Sequence, residues 1–177
     1  MADAPSPVGE SSDEQHVLAV VFDKATRADE ALLTLVHLGQ EGKIEIADAV
    51  VVAKTPDGKT HVRQTVDPTP GRAAVGGAWL GTLVGLLFGG PLGGAVAGAA
   101  GAALYAKLVD IGLDDGWVKR MAEWLDPGTS ALLLLLNDDG VRAEVIRELQ
   151  RFDGQLVTTT FPDSVRRALE EGLKAEA

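Results

Sequence analysis

"GGAWLGTLVGLLFGGPLGG", Gly76 to Gly94, lies inside the longest stretch of the chain without a charged side chain, Ala73 to Ala106. Such a stretch can be a membrane segment, a buried core or an oligomerisation surface, and the sequence on either side decides how the chain folds around it.

Upstream, "HVLAVVFD", residues 16–23, is a β-branched apolar run of strand length with no helical periodicity, and it reads as a buried strand. "ATRADEALLTLVHLGQEG" follows. It places Ala28, Ala31, Leu32, Leu35 and Val36 on one helical face, with Thr26 suited to the N-cap and Gly42 to the position just past the helix end. "KIEIADAVVVAKT" and "THVRQTV" read as two strands joined by the turn Pro56-Asp57-Gly58-Lys59, because Asp-Gly favours the positive φ angles of a tight hairpin. The first third is therefore β-α-β-β.

Downstream, "SALLLLLN", residues 130–137, is a buried strand, and "DDGVRAEVIRELQRFDG" is a helix with Val141, Val145, Ile146 and Leu149 facing inward. "QLVTTTFP" is a closing strand, and "DSVRRALEEGLKAEA" is a last amphipathic helix through Val165, Ala168, Leu169 and Leu173. Two split β-α-β units most often make one antiparallel sheet with helices on one face. The expected fold is thus α+β and ferredoxin-like, a single domain over residues 16–177 with residues 72–112 inserted between its halves.

Within the insertion, glycines recur every fourth residue in two sets, Gly77, Gly81, Gly85 and Gly89, then Gly90, Gly94 and Gly98. Each glycine costs a helix about 1 kcal/mol relative to alanine in water. Compensation comes from close backbone packing, which small residues at this spacing allow. Gly89-Gly90-Pro91 breaks the helical path, so the stretch reads as a glycine-zipper helical hairpin. As one helix the charge-free run would be about 51 Å long against a hydrocarbon core of roughly 30 Å, whereas each arm is about 24 Å, so a hairpin that dips in and returns fits a bilayer better than one span. Arg72 before it and Lys107, Lys119 and Arg120 after it place both ends on the cytoplasmic side.

The first arm offers Trp79, Leu80, Leu83, Leu87 and Phe88 as an outward apolar face for a membrane or an interface, while the second is mostly glycine and alanine and suits protein contact. "DDGWVKRMAEWLD" carries Trp117, Met121, Trp124 and Leu125 on one helical face, with Asp114 or Asp115 as the cap. Trp117 and Trp124 suit a membrane interface, and slightly better packing beneath the hairpin or on the sheet.

The 177 residues, 46% of them apolar, are enough to bury a real core. A net charge of −10 argues against nucleic-acid partners, which need a basic surface. The absence of cysteine removes disulfides, thiol catalysis and thiolate metal sites. Residues 1–15, acidic and poor in bulky apolar side chains, read as a disordered, solvated tail.

No residue pattern identifies a reaction. His16, His37 and His61 have no partner at metal-site spacing, and the pairs Asp114-Asp115 and Asp138-Asp139 precede helices, where acidic caps are ordinary. "KTPDGKT" ends like a phosphate loop, yet Ala53 stands where the first glycine belongs and the context is strand-turn-strand. "GGPLGG" lacks the preceding strand and following acidic residue of a dinucleotide site, and Ser130 and Ser164 lack a nucleophile elbow. Catalytic, cofactor-binding and metal-binding residues are accordingly assigned to none of these.

The β-α-β-β start, the charge-free insertion with stacked four-residue glycine spacing and the closing β-α-β together resemble an uncharacterised bacterial domain-of-unknown-function family of the 1269 type, often labelled as membrane or stress-related proteins. The resemblance covers roughly residues 16–172 and rests mainly on the insertion. It implies a non-enzymatic, membrane-associated or self-assembling protein, with a stress-related role. Together with the flanking charges it gives the expectation of a self-assembling protein on the cytoplasmic membrane with its globular part facing the cytoplasm. The alternative is a soluble cytoplasmic homo-oligomer, a ligand-binding or regulatory module whose hairpin builds the oligomer interface.

Overall fold

The computed structural model describes residues 15–65, 84, 88, 99–110, 114–136, 139–161, 164–165, 167–168 and 171. Along the chain run β1 (Gln15–Phe22), α1 (Arg27–Gln40), β2 (Asp48–Lys54), β3 (Thr60–Thr65), α2 (Ala99–Asp110), α3 (Asp115–Trp124), β4 (Ser130–Leu136), α4 (Asp139–Leu149), a 3-10 turn (Gln150–Phe152) and β5 (Gln155–Phe161). The five strands form one antiparallel sheet in the order β3-β2-β4-β1-β5, an α+β fold.

The run Ser-Ala-Leu-Leu-Leu-Leu-Leu of β4 has no polar face to give to water, which suits only a strand covered on both sides. It is buried along its whole length at the centre of the sheet, between β1, where Leu18 faces Leu134, and β2, where Val51 faces Leu132. The two β-α-β units therefore interleave. Strand β1 of the first unit lies between β4 and β5 of the second, so neither half completes its sheet alone.

Boundaries differ from the sequence expectation at several places, among them the end of α4, where residues 150–152 form a 3-10 turn. Gln15 belongs to β1 and not to the acidic tail, and residues 43–47, expected as strand, approach the sheet without joining it until Asp48. The alternation of Ile44 and Ile46 mimics a strand, but both side chains pack from a connecting segment onto the core beneath α1. Residues 1–14 and most of residues 72–112 lie outside the described residues.

Turn chemistry fixes the connections. Gly42 adopts φ +71°, and the amides of Gly42 and Lys43 donate to the carbonyls of Gly39 and Leu38, which closes α1 with a Schellman motif. In the β2–β3 connection only Gly58 takes a positive φ, +87°. The Gly58 amide donates to Thr55 O at 2.8 Å, making a turn followed by a left-handed glycine and not a two-residue hairpin loop.

The start of α1 departs from expectation. Thr26 makes no side-chain cap; instead the amide of Ala28 donates to Ser130 Oγ at 3.2 Å, and the Ser130 hydroxyl donates to Lys24 O at 2.6 Å. A buried serine at the head of β4 thus satisfies the helix start from across the sheet.

Candidate functional site beneath the insertion

Strand alternation divides the core into two layers. Leu18, Val20 and Phe22 of β1, Ala49 and Val51 of β2, and Leu132, Leu134 and Leu136 of β4 pack against Ala28, Ala31 and Leu35 of α1 and Val145 and Leu149 of α4. The alternate set, Val17, Ala19 and Val21, Val50 and Val52, and Ala131, Leu133 and Leu135, points to the other face.

That second face is covered from several parts of the chain. Val84 and Phe88 from the glycine-rich insertion, Leu108 of α2, Leu125 at the end of α3, and Val165 and Ala168 near the C-terminus are buried on it, with Ala47 and Trp124 partly buried against the same cluster. Val84 and Phe88 both have helical backbone and stand four residues apart in sequence, the spacing of neighbours on one helical face. Burying two side chains of this size contributes about 1.5–3 kcal/mol each. These two residues of the uncharged stretch are therefore core.

Phe88, expected on the outward apolar face, instead points into the molecule and is 7% exposed. The reason is the sheet beneath it, which would otherwise present a continuous surface of valine, alanine and leucine to water. Trp124 is likewise half-buried against this layer, and Trp117 lies on α3 with its side chain outside the described residues. Trp79, Leu80, Leu83 and Leu87, and the glycines Gly77, Gly81, Gly85, Gly89, Gly90, Gly94 and Gly98, also lie outside them. Val84 carries no local mark of its place on the sheet. The signal was β4: an all-apolar central strand needs cover on both faces, and α1 and α4 supply only one.

Polar contacts tie this layer in place. Lys54 Nζ donates to the carbonyl of Leu125 at 3.1 Å, placing a cation at the C-terminal end of α3, while the amides of Lys54 and Gly128 exchange hydrogen bonds with Thr129 O and Lys54 O. Asp114 caps the other end of α3, accepting from the Gly116 amide at 2.8 Å. Val165 and Ala168 were both expected on the inner face of the last helix, and both are buried.

Elsewhere the charged groups form exposed local pairs. Arg27 and Glu30 lie 2.8 Å apart on α1, Glu148 of α4 and Arg151 of the 3-10 turn 3.0 Å apart, and Lys43 and Glu41 2.8 Å apart past the end of α1. The Lys43 side chain, by hydrogen bond first and by charge second, holds Glu41 below the usual carboxylate range, and Thr55 followed by Lys59 does the same for Asp57. His37 is exposed beside Glu41, and His61 is exposed on β3 opposite Ala53. Among the described residues no group of three or more His, Asp or Glu side chains gathers to hold a metal, and no helix is long and apolar enough to cross a membrane.

These features define an α+β protein with one antiparallel sheet, one face covered by α1 and α4 and the other by residues from the uncharged stretch, α2, the end of α3 and the C-terminal region. The chain belongs to the family described as protein of unknown function (DUF1269), whose model matches residues 74–174. The match runs from the insertion through β4 and β5 to the buried Val165 and Ala168. No curated protein and no solved structure matches the chain.

Proposed function

We propose that this is a non-enzymatic protein that associates with a membrane and with itself through its glycine-rich insertion, carried on a ferredoxin-like sheet, β5-β1-β4-β2, extended by β3. The burial of Val84 and Phe88 on the sheet is the observation that carries this reading. It uses one stripe of a segment that has no charge from Ala73 to Ala106. A segment held on a sheet by one stripe turns its remaining surface away. Without charge, that surface needs an apolar or closely packed partner. Glycine at every fourth position lets a second helix approach closely, and Trp79, Leu80, Leu83 and Leu87 suit lipid or a second copy.

A second reading, a soluble homo-oligomer with ligand-binding or regulatory sheets, draws on the same burial, since Val84 and Phe88 make protein contacts. Fractionation of the native, untagged protein tests both, with the membrane pellet extracted by high salt, carbonate and then mild detergent. Release by detergent alone supports the membrane reading. Recovery without detergent as a defined oligomer supports the second, and a soluble monomer overturns both. Gly85→Leu is expected to disrupt assembly and membrane association. Glu171→Gln should leave both intact, because Glu171 is exposed and its contact with Lys107, at 3.9 Å, is an exposed one.

A further inference from the structure

The two edges of the sheet are built differently. β3 carries exposed His61 and an arginine, Arg63, that pairs with Asp29 of α1, and charge on an edge strand discourages pairing with another chain. β5 carries no such guard. Its sequence, Gln-Leu-Val-Thr-Thr-Thr-Phe, has no charge, glycine or proline, and four consecutive residues, Val157 to Thr160, are β-branched. Among the described residues β5 pairs only with β1, and its Leu156 is 44% exposed.

We propose that β5 pairs antiparallel with β5 of a second copy about a two-fold axis, joining the two sheets into one. The occupant follows from charge. A basic partner would need acidic residues on the strand and an acidic partner basic ones, and β5 offers neither. Copies of a chain with net charge −10 repel one another, so a self-contact is best placed where charge is missing. A two-fold pair also demands a segment complementary to itself, which an uncharged β-branched run is when it faces its own reverse. The inference shares the self-association of the proposed function but uses a different surface.

Sedimentation of the full chain over a concentration series, in mild detergent if the membrane fraction requires it, together with backbone amide exchange along β5, tests the pairing. The expected result is a dimer whose β5 amides are protected and lose protection on dilution. Thr158→Lys with Thr160→Lys should weaken the dimer about tenfold or more by setting like charges across the axis, with the circular-dichroism spectrum of the folded protein retained. Val62→Lys, on the opposite edge, should leave it intact. A monomer throughout, β5 amides that exchange equally fast in dimer and monomer, or a folded lysine variant with undiminished affinity would each overturn the pairing. If the lysine variant does not fold, the exchange data on the native protein decide. Assembly lost in Gly85→Leu but kept in the lysine variant leaves the insertion reading standing and sinks this one; the reverse pattern does the opposite.

Discussion

On one face of the sheet, α1 and α4 lay apolar stripes onto Leu18, Phe22, Leu132 and Leu134 and turn charged pairs such as Arg27–Glu30 and Arg147–Glu144 to water. On the other, smaller side chains, Val17, Ala19, Val50 and Ala131 among them, receive Val84 and Phe88 from a segment whose neighbours for many residues have no charge. Both faces are buried, but the cover of the first carries charged pairs on its outer side, whereas the cover of the second draws on a stretch with no charge from Ala73 to Ala106. Burial alone does not distinguish a finished surface from an unfinished one; the outer side of the covering element does.

The most forceful way to break this contrast is Phe88→Ala. If the insertion packs on the sheet in solution as firmly as the helices do, the truncation should cost about 3–5 kcal/mol in urea-induced unfolding, comparable to the about 2–5 kcal/mol expected for Leu134→Ala on the helix face. A loss near zero for Phe88→Ala, with the full loss for Leu134→Ala, would mean that the second face is covered by something other than its own insertion.

A smaller effect sharpens the helix side. Gly154 passes so close beneath β1 that a Cβ there would lie 2.7 Å from Phe22 Cε1 and also crowd Val20 Cγ1, both in the layer under α1 and α4. Gly154→Ala should therefore destabilise by about 1–3 kcal/mol through overpacking. Unchanged stability would show that this layer can yield, contrary to a close-packed helix face.

Ser130→Ala is expected to cost about 1–3 kcal/mol, because it leaves the Ala28 amide and the Lys24 carbonyl without their buried partner. Native-state amide exchange should place the loosening at the first turn of α1, with little change in α3. A uniform change across both faces would show that the serine acts on the sheet and not on the helix start.

These residues also mark what was legible in the sequence. Periodicity located α1, α4 and every strand of the sheet, and Gly42 and Asp114 act as local chemistry requires, since each responds to neighbours a few positions away. Ser130 was illegible as a helix cap because its partner, Ala28, stands 102 residues earlier, beyond any local rule. Phe88 was misplaced for a related reason. The hydrophobicity of a segment states that it must be covered, and only the unmet need of a distant strand, here the second face of β4, states by what.

The smallest expected effect belongs to the charged exterior of the helix face. Lys43 lowers the Glu41 carboxyl below its ordinary range, so the pair's contribution is complete above the unfolded pKa of about 4.3 and disappears as pH falls through the lower folded value. Lys43 is raised by the same contact, so its contribution is present at neutral pH and disappears only as strongly alkaline pH passes the raised value. Glu41→Gln should thus lower the melting temperature slightly at neutral pH, with the difference from the native protein closing under acid. A difference that persists in acid would assign the effect to the end of α1 and not to the pair. A barely measurable change is what a finished, solvated cover predicts, because charges already in water gain little from meeting.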